Sequence, residues 1–270
     1  MLIEERCPSF VAHWTWPAVK PALHMALGYG KAVRWADDIK RLPDGQACFR
    51  YLYEALSLDV QASGLERVPA AGRAVVISNH PTGLADGPAV LSALERVRRD
   101  FEVFANADAC RVNPRFSDII IPVEWVEEKR SPAKTRETLR RAGQAFAAER
   151  LLVIFPSGRL AHEVEGKLVD KDWFPTAVSL ARKNKAPVTP LHVKARNSWL
   201  FYRVSEISKE LKDITLFHEL MNKQGDRFDL IFGPPIAPEK LAGDPQAVTD
   251  RLRAYVQDVL PNDPDRPFEG

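Results

Sequence analysis

Long apolar runs are missing from this chain of 270 residues. No uninterrupted stretch approaches the ~18 residues that a membrane-spanning helix requires, so no transmembrane segment is expected. Cysteine is scarce. Cys7, Cys48 and Cys110 are odd in number and far apart, which argues against a disulfide framework, fits no metal-ligand spacing and suits a reducing compartment. An excess of one charge sign is also missing. A net charge of +2 with a pI near 8.4 leaves no footprint for nucleic acid, and no basic tract is interleaved with aromatics. The clusters Arg96-Val97-Arg98-Arg99 and Arg140-Arg141 lie on or beside expected helices and read as solvated faces. There is no internal repeat and no low-complexity linker. The stretch Met1-Leu2-Ile3-Glu4-Glu5-Arg6 lacks the apolar region of a signal peptide. The expected location is cytoplasmic, on the inner face of a membrane if any lipid surface is involved.

What is present is enough apolar material for a full core. At 45% hydrophobic and 27% charged, the chain can build one large domain, or one domain with a small helical extension. Residues 10–36 are crowded with aromatic and apolar groups, among them Phe10, Trp14, Trp16, Leu23, Met25 and Trp35, with Lys20, Lys31 and Arg34 mixed in. Two readings stand for this stretch: an interfacial amphipathic segment with tryptophan at headgroup level, or a helix packed on the core. Pro17 and Pro21 are expected to open or break it. A second helix is expected over 46–58, with Phe49, Leu52, Tyr53 and Leu56 on one face.

From about residue 66 strands and helices alternate. Expected strands are 74–78, 101–105, 119–124, 151–155, 188–194 and 228–232, and expected helices are 86–98, 133–149, 173–185, 197–203, 215–222 and 246–259. Leu151-Leu152-Val153-Ile154-Phe155 is apolar throughout, as suits a sheet covered on both faces. The expectation is an α/β fold: a largely parallel central sheet flanked by helices, with an N-terminal helical extension over 1–60 and the main domain over 61–270. Ligands in such folds gather at the carboxyl ends of strands.

Two motifs follow strands in that position. The first is Asn79-His80-Pro81-Thr82-Gly83-Leu84-Ala85-Asp86-Gly87. A strand running into a His, a Pro/Gly turn and then an Asp can hold an imidazole where a carboxylate returns to orient it. That is the minimum equipment for taking a proton from an alcohol. Asp86 also reads as a helix N-cap, and both roles can hold together. The second is Phe155-Pro156-Ser157-Gly158-Arg159, whose backbone N–H groups and guanidinium suit an anion. Ser157 lacks the G-x-S-x-G elbow of a nucleophile. Ile119-Ile120-Ile121-Pro122-Val123-Glu124 leads to the basic pair Lys129 and Arg130, which either binds phosphate or is solvated. Pro190 points to an edge or strand-start position. His192 reads as a core histidine, and Asp172 as the cap of a helix beginning at Trp173.

Taken in order, these pieces resemble the glycerolipid acyltransferase superfamily, and more closely its hemolysin-labelled and ornithine-lipid-type branch. Asn79, His80 and Asp86 resemble the N-H-x4-D block. Phe155, Pro156 and Gly158 resemble the F-P-E-G block, and Pro190 the late apolar strand. The D-x-x-W segment and Asn197-Ser198 also fall in sequence, and the likeness spans about residues 60–240. Two features depart from the common form: the His–Asp spacing is one residue longer, with Ala85 where that form has Asp, and Ser157 replaces Glu. The resemblance implies a lysophospholipid or 1-acylglycerol-3-phosphate type O-acyltransferase. His80 and Asp86 would be its base and orienting carboxylate. Asn79, Gly83, Lys129, Arg130, Phe155, Pro156, Ser157, Gly158, Arg159 and Pro190 would bind substrate. The implied partners are an acyl-CoA or acyl-carrier-protein donor, a lysolipid or glycerol-phosphate acceptor and a membrane surface, with no metal and no other cofactor. A hydrolase using the same pair and a non-catalytic lipid-binding protein are the alternatives.

Overall fold

The strand that precedes His80 sits near the middle of a seven-stranded sheet. The computed structural model describes residues 4–124 and 131–270. Four helices open the chain: α1 (Pro8–Ala12), α2 (Trp16–Ala26), α3 (Tyr29–Ile39) and α4 (Gly45–Leu56). There follow β1 (Asp59–Ser63), β2 (Ala74–Ser78), α5 (Asp86–Leu94), β3 (Phe101–Asn106), α6 (Asp108–Val112), β4 (Ile120–Val123), α7 (Pro132–Ala147) and β5 (Leu151–Ile154). A short hairpin, β6 (His162–Val164) and β7 (Lys167–Val169), leads to α8 (Thr176–Lys183) and β8 (Val188–Lys194). The chain closes with α9 (Trp199–Ile207), α10 (Lys209–Asn222), β9 (Arg227–Phe232) and α11 (Pro245–Ala254), which runs on through a π-helical turn at Tyr255–Val259.

The sheet order is β1-β9-β8-β2-β5-β3-β4. All pairings are parallel except β8 with β9. This is the largely parallel, helix-flanked sheet expected from the alternating pattern. Every residue of β2 and β5 is buried, which is why both read as unbroken apolar runs. Alternate side chains feed two cores. Ala74, Val76, Leu151, Val153 and Leu191 pack with α4 and α5, while Val75, Ile77, Leu152, Ile154 and Val188 pack with α7, α8 and α11.

Pro190 is not at an edge. It lies in β8, with β2 on one side and β9 on the other, and pairs with Ile77. A proline survives there because its missing donor faces the place where the β9 ladder is broken. β9 ends at Phe232, Gly233 donates to the Pro190 carbonyl at 2.8 Å, and pairing resumes only at the Val188–Ile236 bridge.

The N-terminal stretch divides its apolar groups between two surfaces. Trp16 is buried with Cys7 and Ile214, while Trp14 and Met25 are 84% and 82% exposed. Pro17 falls in the first turn of α2, where its lack of an N–H costs little. Pro21 lies inside α2 without ending it, because it removes only the ladder bond to the Pro17 carbonyl. No helix among the described residues is long and apolar enough to cross a membrane.

Candidate active site

β2 ends at Ser78, and the chain turns out of the sheet through Asn79 and His80. Asn79 is the anchor of that exit. Its amide donates to the Val193 carbonyl at 2.9 Å and accepts from the Val193 N–H at 2.7 Å, locking the end of β2 to β8. His80 is then fixed through backbone and ring together. Its N–H donates to Asp170 Oδ1 at 3.1 Å, and its carbonyl accepts from Ala161 at 3.0 Å. Its ring stacks on Phe155, with centroids 4.4 Å apart and planes at 28°. Nδ1 lies 2.9 Å from Asp86 Oδ2.

Asp86 is the first residue of α5 and is fully buried. It does not cap the helix in the usual sense, because Ala85 holds the cap position. Its carboxylate turns back on the preceding loop instead. It accepts from the Thr82 N–H at 3.0 Å, the Gly83 N–H at 2.9 Å and the Thr82 hydroxyl as well as from His80. Every one of these contacts brings a donor to the carboxylate, at the N-terminal end of α5. An ionised carboxylate only accepts, so Nδ1 of His80 is the donor and the Nε2 lone pair is left free. The His80 side chain retains 17% exposure. The pair therefore keeps one part of the imidazole open and hides the rest.

Gly83 has φ +81°, and a Cβ there would sit 2.8 Å from Leu160 Cδ2. The loop thus needs glycine both for its conformation and for its approach to the loop after β5. That second loop makes a tight turn in which Gly158, at φ +58°, donates to the Phe155 carbonyl at 3.0 Å. Pro156 accepts from the Phe174 N–H at 3.1 Å. Ser157 is 1% exposed and donates to the Arg159 carbonyl at 2.8 Å, so its hydroxyl braces the turn. Arg159 is exposed at its end.

Asn79, His80, Gly83, Asp86 and the Phe155–Arg159 loop are therefore gathered at the carboxyl ends of β2 and β5. Asn79 spends its amide on Val193, which holds the strand end. Pro190 is buried in β8 and does not belong to the loops around His80. Lys129 and Arg130 lie outside the described residues. The model of the family described as Acyltransferase matches residues 33–257 of the chain. This chain belongs to that acyltransferase family. It is similar to two proteins named lyso-glycine lipid O-acyltransferase. One, from Phocaeicola vulgatus, is 26% identical over 221 residues, covering 80% of this chain and 75% of that protein. The other, from Bacteroides thetaiotaomicron, is 26% identical over 222 residues, covering 80% of this chain and 77% of that protein. Among solved structures, the 1-acyl-sn-glycerophosphate (LPA) acyltransferase PlsC from Thermotoga maritima matches with a TM-score of 0.49 and 15% identity over 87% of this chain and 92% of its own.

Around the dyad of this acyltransferase stand residues that the sequence alone did not place there. Thr82 supplies two of the donors to Asp86. Asn197 donates from Nδ2 to the Thr82 carbonyl at 3.3 Å, and its own N–H meets the Tyr202 hydroxyl at 3.0 Å. Burial pushes that phenol up to about 12. Ser198 caps α9 and is held in turn by the buried carboxylate of Glu219. Asp170 is the most telling omission. The D-x-x-W pattern includes Asp170, but the expected helix start at Trp173 directed attention to Asp172 as its cap. In the structure α8 begins at Thr176, and the exposed Asp172 pairs with Arg253 at 3.2 Å. Asp170, fully buried, is the member that reaches His80. His192 is half-buried with Nδ1 at 2.9 Å from the Val256 carbonyl, away from the dyad. Among the described residues, no group of three or more His, Cys, Asp or Glu is placed to hold a metal ion.

Proposed function

We propose that this acyltransferase moves a fatty acyl group from a thioester, on CoA or a carrier protein, to the hydroxyl of a lysolipid, with His80 as the general base. The observation that carries this reading is the 2.9 Å contact between His80 Nδ1 and the buried Asp86 carboxylate, which leaves Nε2 as the ring nitrogen that Asp86 does not engage. Nε2 takes the proton of the acceptor O–H, and the oxygen attacks the thioester carbonyl carbon. The tetrahedral intermediate collapses with cleavage of the C–S bond, and the departing thiolate takes the proton back from the imidazolium. Asp86 keeps the imidazole in the reactive tautomer and balances its charge while it is protonated.

The acceptor we favour is a lysolipid with an amino-acid head, because the two relatives similar over most of this chain carry that specificity in their names. The exposed Arg159, at the end of the loop that stacks Phe155 on His80, places a guanidinium where an anionic head could lie. Asn79, Gly83, Phe155, Pro156, Ser157 and Gly158 shape the wall around the base. The exposed Trp14, Val19 and Met25 of the N-terminal segment suit contact with a lipid surface on the cytoplasmic side.

The test is thiol release from a long-chain acyl-CoA or acyl-carrier protein, with lyso-glycine lipid, lysophosphatidate and glycerol phosphate as acceptors. His80→Ala should lose at least the ~10²–10⁴-fold that base catalysis supplies, with an unchanged thermal melt. Release that needs no acceptor would make the protein a hydrolase. Turnover retained by His80→Ala would remove His80 from the chemistry.

A further inference from the structure

A histidine that must present one nitrogen to a substrate needs its backbone fixed as firmly as its ring. Asp86 settles the ring, while the His80 main chain is held by other segments: Ala161 donates to its carbonyl, and its N–H goes to the segment after β7. Asp170 Oδ1 accepts the His80 N–H at 3.1 Å, and Asp170 Oδ2 accepts the indole N–H of Trp173 at 2.9 Å. A buried carboxyl group with an N–H on each oxygen is held in one orientation. Trp173 is 1% exposed and packs in the core formed with α7, α8 and α11, so the indole is a fixed post. The next residue, Phe174, donates its N–H to the Pro156 carbonyl, which ties the same segment to the loop carrying Phe155. On the outer side, Arg253 of α11 donates to the Asp170 carbonyl at 2.6 Å and pairs with Asp172.

We infer that Asp170 is a positioning residue for His80: through the His80 backbone it sets the place from which the imidazole meets Asp86, and Trp173 holds Asp170 in register. Burying a carboxyl this deeply is costly, and desolvation pushes its pKa up despite the two N–H bonds. An aliphatic side chain would fill the site without that cost. What an aliphatic side chain cannot do is accept the His80 N–H and the indole N–H together. The inference rests on His80 being the base and adds the means by which the base is held.

The test is nitrogen-15 NMR of the imidazole rings in the full-length protein, with His80 assigned by its loss in His80→Gln, alongside steady-state acyl transfer. Wild-type His80 should show a single Nδ1–H tautomer. In Asp170→Asn the His80 ring shifts should move toward a mixture of tautomers while the other histidines stay put. The kcat should fall about 10- to 100-fold, as misplacement of a catalytic group by about an ångström does, with KM for donor and acceptor within about twofold. Wild-type ring shifts and kcat in a folded Asp170→Asn protein would overturn the inference. If that variant does not fold, Trp173→Phe keeps an aromatic ring in the core and removes only the indole donor. It should shift the His80 ring signals and lower kcat in the same direction, and an unchanged His80 spectrum there would overturn the inference equally. A wild-type spectrum without the Nδ1–H tautomer, or a fully active His80→Ala, would instead strike the base assignment itself.

Discussion

Asn79 and Val193 stand 114 residues apart and exchange two hydrogen bonds, amide to carbonyl at 2.9 Å and N–H to amide oxygen at 2.7 Å. One side chain thereby replaces a missing rung between two neighbouring strands just where β2 leaves the sheet. Asn79→Ala leaves both Val193 groups buried without those partners. It should cost about 1–3 kcal/mol of stability, read as a lower urea midpoint, and should lower kcat because His80 is the next residue. A midpoint within error of wild type would show that water or a local shift takes over the rung.

Gly83→Ala meets two obstacles at once. The backbone is left-handed at φ +81°, and the new methyl would press on Leu160. The conformational part alone should cost about 1–2 kcal/mol, seen as a lower melting temperature. Activity should fall further than stability, because the Gly83 N–H that helps hold Asp86 moves with the loop. A variant with wild-type melting and turnover would show that the loop relaxes freely.

Burial lowers the pKa of both His192 and His162 from the ordinary 6.5. The neutral forms are favoured in the folded protein, so the unfolded chain binds more protons below that value. Their contribution is fully present above 6.5 and is lost as pH falls through 6.5 toward the lower folded values. His192→Gln should therefore show a shallower loss of stability than wild type between about pH 7.5 and about pH 5.5. Parallel curves from urea titrations would refute this.

The exposed Trp14 and Met25 carry the lipid-contact proposal. Trp14→Ala combined with Met25→Ala should reduce cosedimentation with anionic vesicles several-fold and leave the circular dichroism spectrum and melt unchanged. Equal sedimentation of the two proteins would move the contact elsewhere or dismiss it.

The sheet was largely legible because its central strands are buried on both faces and so are written in unbroken aliphatic runs. β1 was not seen, because Asp59-Val60-Gln61-Ala62-Ser63 is an edge strand with every other residue exposed. The hairpin of β6 and β7, three residues each, is too short and polar to leave a period. Pro190 misled because the rule that keeps proline off central strands assumes an intact ladder on both sides, and the break after Phe232 is set by tertiary structure. His80 and Asp86 were legible as a pair because only six positions separate them. Asp170 fell inside the D-x-x-W pattern with Trp173, but its role was not legible, because its partner is a main-chain N–H ninety residues away. The expected helix start at Trp173 drew the capping reading to Asp172 instead.

His80 is gripped by groups from four separate segments: the Asp86 loop, the Ala161 turn, the Asp170 segment and, through its neighbour Asn79, the β8 strand. Its own partners reach 90 positions along the chain, and those of its neighbour Asn79 reach 114, so no short fragment of the sequence contains the centre. Contacts of such span form only after the intervening chain has been ordered. The placing of His80 is therefore a product of the assembled sheet and not of any one loop. With His80 as the proposed base, turnover in a denaturant titration should disappear in the same transition as the sheet, the β2–β8 seam being what the site is hung on.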